Sequence, residues 1–251
     1  MHPRLAALGL ALITIPAAAQ DAETIHRGRL LITETYAHIG PAVADPAMRF
    51  AGNNLACANC HMDAGHRSGG LALVGVSAKY PAPQADGSME SLADRINGCM
   101  ERSMNGRPLP EDGPEMAQIV AYLEMLTRDA GSFGNPAEDP RPLPSAAIPP
   151  DPGRGASLYA SECAGCHAAD GSGVRNGQPG DDQGYLHPPL WGRDSFNAAA
   201  GMHRLDTLAA FIHANMPLSA IVGAPVLSEQ DAWDIAAFIE AQPRPPAPAG
   251  Q

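Results

Sequence analysis

Two five-residue stretches hold the residues best suited to chemistry: Cys57-Ala58-Asn59-Cys60-His61 and Cys163-Ala164-Gly165-Cys166-His167. Two thiols three positions apart, followed at once by an imidazole, form the attachment pattern of a c-type haem. The thiols add to the vinyl groups, and the histidine binds iron from one side. A zinc site built from both pairs, or two short disulfides, would leave the histidine after each pair without a purpose. The expectation is two covalently bound haem c groups, one held by Cys57, Cys60 and His61 and the other by Cys163, Cys166 and His167.

The ligand on the other face of each iron decides whether a site passes electrons or does chemistry. In the second half, a helical stretch from Thr207 to Ala214 runs into Asn215-Met216-Pro217-Leu218, and a methionine before proline in a loop between helices suits a thioether ligand. Met216 is the expected ligand, with Met202, His203 and His213 as nearby alternatives. Methionine raises the potential of its haem and so marks the electron exit. In the first half, the stretch from Asp94 to Gly106 falls where the ligand loop belongs, and it contains Cys99, the one cysteine outside the two pairs. A thiolate there would lower the potential, and it is also the best nucleophile and leaving group among side chains. Arg95 and Arg102 would keep it ionised and attract anions. Met100 and Met104 are the other candidates; with either of them both haems would be plain electron carriers.

The two halves repeat one plan, with the haem motifs 106 residues apart. Each opens on a candidate helix, Gly28 to Ile39 in one and Arg154 to Glu162 in the other. Each closes on an amphipathic one, marked by Met116, Ile119, Val120, Leu123 and Leu126, and by Trp233, Ile235, Ala236, Phe238 and Ile239. Ser228 is positioned as the N-cap of the last helix. Terminal helices, a haem motif after the first and a ligand-bearing segment before the last describe an all-α chain of two class I cytochrome c domains in tandem. No stretch alternates with period two for long enough to form a sizeable sheet.

Residues 1–19 read as a signal peptide, with Arg4, an apolar run from Leu5 to Ile15 and the small residues Ala17 to Ala19. The run is too short to span a bilayer, so the mature chain is expected in the periplasm with no membrane span. Residues 20–130 form the first expected domain and 152–243 the second. Residues 131–151 are rich in proline and read as a linker, and 244–251 as a disordered tail. The net charge of −11 becomes −12 without Arg4, which excludes nucleic acid as a natural partner. Lys79 is the only lysine, so a basic membrane-binding patch is also excluded. Pro and Gly make up 51 of the 251 residues and aromatics only 5%, lean material for two cores unless a buried cofactor fills them.

The run Arg95-Ile96-Asn97-Gly98-Cys99-Met100-Glu101-Arg102-Ser103-Met104-Asn105-Gly106-Arg107-Pro108-Leu109-Pro110 resembles the active-site segment of the di-haem thiosulfate dehydrogenases. Ala51 to Leu55, His61 to Gly65, Pro188 to Gly192 and Ser195 to Asn197 match similar runs of that family, so the resemblance covers nearly the whole mature chain. It implies oxidative coupling of two thiosulfates into tetrathionate, with two electrons passed to a soluble periplasmic acceptor such as a small cytochrome c. It also implies that Cys99 is both distal iron ligand and catalytic sulfur, and that Arg95 belongs to the substrate pocket. Joining two dianions requires local cations; Arg95 and Arg102 are the leading candidates, followed by Lys79 and Arg107. Some members use a lysine beside the methionine as a second ligand. Here that position is Asn215, so plain His167/Met216 ligation is expected. A non-catalytic electron carrier and the reverse reaction, tetrathionate reduction, are the alternatives.

Overall fold

The computed structural model describes residues 17–133, 141–218 and 225–248. All but the last three residues of the expected leader lie outside these. The first half contains α1 (Ala17–Thr33), α2 (Thr35–His38), the hairpin β1 (Ala82–Pro83) and β2 (Met89–Glu90), α3 (Leu92–Arg102), α4 (Pro114–Arg128) and α5 (Ala130–Phe133). The second contains α6 (Pro152–Glu162), α7 (Ala164–His167), the hairpin β3 (Val174–Arg175) and β4 (Tyr185–His187), α8 (Leu205–Asn215) and α9 (Glu229–Glu240). The all-α expectation holds, with two small antiparallel hairpins added. No helix among the described residues is long and apolar enough to cross a membrane.

Both halves are built on the same helix crossing. α1 packs on α4 through Gly28, and α6 on α9 through Gly155. A Cβ at Gly28 would collide with the Gln118 carbonyl and crowd Tyr122; a Cβ at Gly155 would collide with the Asp234 carbonyl and crowd Phe238. The missing side chain is what lets the backbones approach, and it outweighs the cost of about 1 kcal/mol that glycine carries in a helix. Each crossing closes a separate core. Leu31, Ile32, Met116, Tyr122 and Leu126 lie in the first, and Tyr159, Trp191, Phe211, Ile235 and Ile239 in the second. The few aromatics are concentrated in the second core, where Tyr159, Trp191 and Phe238 stack with centroids 5.0 to 5.7 Å apart.

Three details depart from the sequence reading. The opening helix starts earlier and breaks at Glu34, whose backbone is non-helical (φ −135°, ψ 36°). The segment around Cys99 is a helix, not a loop. Ser91 and Asp94 cap α3 reciprocally, each accepting the other's backbone N–H, and the Asn97 side chain pairs with both backbone groups of Leu109. The proline-rich segments pack rather than trail. Leu143 and Ala146 lie against the second core, and Trp233 donates to the Pro144 carbonyl. Near the end of the described residues, Pro243 and Pro245 accept the backbone N–H groups of Gly192 and Ala198, while Arg244 lies over the Phe196 ring.

The α6–α9 crossing is locked by Asp234, a fully buried carboxylate. Burial alone would raise its pKa. Donors from the Asp151 backbone, Arg154 and Gln230 outweigh burial and hold it below the ordinary carboxylate range. A depressed carboxyl contributes stability above its unfolded value, about 3.9 for Asp, and that contribution is lost as pH falls through the folded value. The thermal midpoint followed by circular dichroism should therefore drop steeply below about pH 4. Asp234→Asn should lower the midpoint near neutral pH and flatten the acid fall; an unchanged acid limb would refute this assignment.

Candidate functional site

The break between α1 and α2 delivers Thr35 to the first cysteine motif. Its hydroxyl donates to the Leu31 carbonyl at 2.6 Å and accepts the Cys57 backbone N–H at 3.1 Å. Cys57–Asn59 form one turn of 3-10 helix, held by the Asn59 side chain, which accepts the Ala56 N–H at 2.7 Å. In the second half α6 runs directly into Cys163, and α7 carries Cys166 and His167. All five cysteines are unpaired, and among the described residues no cluster of His, Cys, Asp or Glu is placed to hold a bare metal ion. The zinc and disulfide alternatives gain no support.

Both histidines are fixed in the same way. His61 Nδ1 lies 2.5 Å from the Leu71 carbonyl and His167 Nδ1 lies 2.8 Å from the Pro188 carbonyl. A carbonyl only accepts, so Nδ1 carries the proton and Nε2 keeps its lone pair for a metal. Burial pulls His167 below the usual imidazole value despite that carbonyl, which favours the neutral, ligating form. Cys57, Cys60 and Cys163 are partly buried, and Cys166 is exposed. Burial foremost pushes Cys57 and Cys163 up to about 11 and Cys60 to about 12, so before attachment all three are protonated.

The second motif faces an apolar cavity of about 260 Å³, walled by Pro189, Leu190, Phe196, Leu208, Phe211, Ile235 and Ile239. Its lining includes Cys163, Cys166, His167 and, from the second half, the thioethers Met202 and Met216. His203 and His213 are not part of it, which narrows the ligand alternatives to those two methionines. His187, unnoticed in the sequence, lines the cavity with its ring edge-on to His167. Thiols at the edge, a neutral imidazole and an apolar wall fit a covalently held haem. Ala58, Asn59, Cys60 and Met62 of the first half line the same cavity, so the two motifs meet across it.

Cys99 sits in the last turn of α3, half-buried, and the helical period places Arg95, Cys99 and Arg102 on one stripe. Met100 is turned about 100° around the helix and packs with Met104 in the first core. Cys99 lies close enough to the first motif to add to the upward shifts of Cys57 and Cys60. Tyr80 joins it. Burial raises its phenol, Arg95 opposes that rise, and Cys99 adds to it. Arg95 is exposed, and Arg102 folds back over the bare face of Gly98. Lys79 is exposed beside Tyr80. Arg107 is turned elsewhere, stacked on Phe50 at 3.9 Å and donating to the Ala47 and Arg49 carbonyls.

The halves are joined by buried amides that sequence reasoning passed over. Asn53 and Asn105 donate to the Ser195 carbonyl, and Asn197 donates its side-chain amide to the Glu101 carbonyl and its backbone N–H to the Arg102 carbonyl at the end of α3. Asp194 accepts from Asn54 twice and from Tyr185 and Arg175. An asparagine pair inside an apolar run was the visible signal, but its partners lie about 140 positions away.

Two helical domains, each with a Cys-x-x-Cys-His motif and a carbonyl-anchored histidine, define a tandem c-type cytochrome. Residues 49–131 match the SoxA/TsdA cytochrome c domain family and residues 153–242 the cytochrome c family. The chain is 37% identical to thiosulfate dehydrogenase of Allochromatium vinosum, over 93% of this chain and 84% of that one. It is 36% identical to the Stutzerimonas stutzeri enzyme of the same name, over 93% and 71%. The structure of thiosulfate dehydrogenase (TsdBA) from Marichromatium purpuratum superposes with a TM-score of 0.75 at 35% identity, covering 92% of this chain and 48% of that one. The chain belongs to the thiosulfate dehydrogenase family.

Asp194→Ala strips four donors at the seam of their acceptor. Global stability in denaturant should fall by about 1–3 kcal/mol with both cysteine motifs intact; an unchanged midpoint would show that the seam does not depend on this carboxylate.

Proposed function

We propose that this chain is an exported periplasmic enzyme with two haem c groups that couples two thiosulfates into tetrathionate. One haem would be ligated by His61 and Cys99 and the other by His167 and Met216. The observation that carries the reading is α3, which sets Cys99, close to the first haem-attachment motif, on one stripe with Arg95 and Arg102. Haem, when bound, supplies the electron transfer, one electron at a time.

The chain's own residues do the rest. Arg95 and Arg102 draw in a dianion and offset its repulsion from a second one. The Cys99 thiolate bonds to the outer sulfur of one thiosulfate, and two electrons leave as that S–S bond forms. The second thiosulfate attacks the same sulfur, making the new S–S bond of tetrathionate and releasing the Cys99 thiolate. Two thiosulfates thus give one tetrathionate and two electrons, which pass to an external redox protein such as a small cytochrome c. Met216 suits the exit side, since thioether ligation raises the potential there. Of the remaining cations, Arg107 is committed to Phe50 and the backbone beside it.

The test is a steady-state assay of haem-loaded protein with thiosulfate and an artificial electron acceptor. Wild type should turn over, Cys99→Ser with both haems loaded should fall at least about a hundredfold, and Arg95→Ala should raise KM while Arg107→Ala leaves it near wild type. Normal turnover by Cys99→Ser would sink the proposal.

A further inference from the structure

Asn215 stands immediately before Met216 and is fully buried. Its Nδ2 donates to the Gly69 carbonyl of the first half at 2.5 Å and to the Phe211 carbonyl of its own helix at 3.0 Å. Only the amide nitrogen can donate, so two carbonyls on one side fix which way the side chain faces. A buried amide costs free energy unless such bonds are made.

The loop it grips is the one that orients the other histidine. Gly69 is two residues from Leu71, whose carbonyl receives the His61 Nδ1–H at 2.5 Å. The Gly70 carbonyl between them accepts the Met62 N–H at 2.9 Å, and the side chains of Leu71 and Met62 pack into the second core. A single buried hydrogen bond therefore joins the segment that presents Met216 to the segment that anchors His61.

We propose that Asn215 is a positioning residue that couples the axial ligands of the two haems across the seam, so that each site's reduction depends on the other's ligand geometry. The proposal rests on the His61 and Met216 ligation proposed above. With Asn215 in place, the Leu71 carbonyl is held against Nδ1 and keeps His61 strongly electron-donating, which favours a low potential at the first haem. The same bond holds Met216 at the end of α8, which favours a high potential at the second. The amide widens the gap between the two sites from both directions.

The experiment is a redox titration of the haem-loaded protein, following each haem by its own absorption and Met216 by the weak long-wavelength methionine-to-iron band. Asn215→Leu should lower the second haem's midpoint, weaken that band, and raise the first haem's midpoint. Each should shift by about tenfold in the reduction equilibrium, or about 59 mV for one electron. Asn215→Ala, which adds no bulk, carries the same test should the leucine variant fail to load haem. A general loosening would expose both haems and move both midpoints the same way, so parallel shifts overturn the coupling, as do unchanged midpoints. A wild type without the methionine band overturns the ligation itself before any variant is compared.

Discussion

An imidazole has two nitrogens, and each half of this protein commits one of them to a backbone carbonyl. That constraint organises the rest. The carbonyls of Leu71 and Pro188 come from loops, and each motif packs against the opening helix of its half, α1 or α6, which crosses its partner at a bare glycine. With Nδ1 occupied, Nε2 is the nitrogen suited to binding a metal. The fold repeats this device twice, then brings the two copies together until Cys60 and Met62 of one half line the cavity of the other.

What differs between the halves is the residue offered to the far side of the iron. The second half offers thioethers in a mostly apolar cavity, an arrangement suited to passing electrons. The first offers a thiol on a helix stripe with two guanidinium groups, suited to gathering anions. The carbonyls of Glu101 and Arg102, at the end of that stripe, are gripped by Asn197 of the second half. The proposed chemical site is thus braced by the domain that would carry its electrons away, and in this respect the two domains form one unit.

The cysteine motifs and the terminal helices are legible in the sequence because they depend on near neighbours: a three-residue spacing, a 3.6-residue period, a cap before an apolar run. The segment at Cys99 is expected as the ligand loop from its place in the domain plan, yet it is helical even though Asn97 and Gly98 are weak helix formers. Its reciprocal cap at Ser91 and Asp94 was on view, and Arg102 lying over Gly98 compensates for the missing side chain. The seam was illegible for a different reason. Asn53, Asn54, Asn197 and Asn215 look like ordinary loop residues until the fold brings up their partners from the other half. The prolines after residue 140 were read as spacers because proline cannot donate to a sheet or helix. Their carbonyls still accept, and Trp233, Gly192 and Ala198 use them.

The central claim is that Cys99 itself forms a bond to the substrate sulfur, and mass spectrometry of a single turnover tests it most directly. Oxidised, haem-loaded protein would be mixed with less than one equivalent of thiosulfate, quenched in acid and digested. The account predicts that the peptide bearing Cys99, and no other, gains the mass of one thiosulfate, and loses it when excess thiosulfate is added. Tetrathionate formed while that peptide stays unmodified would contradict the account.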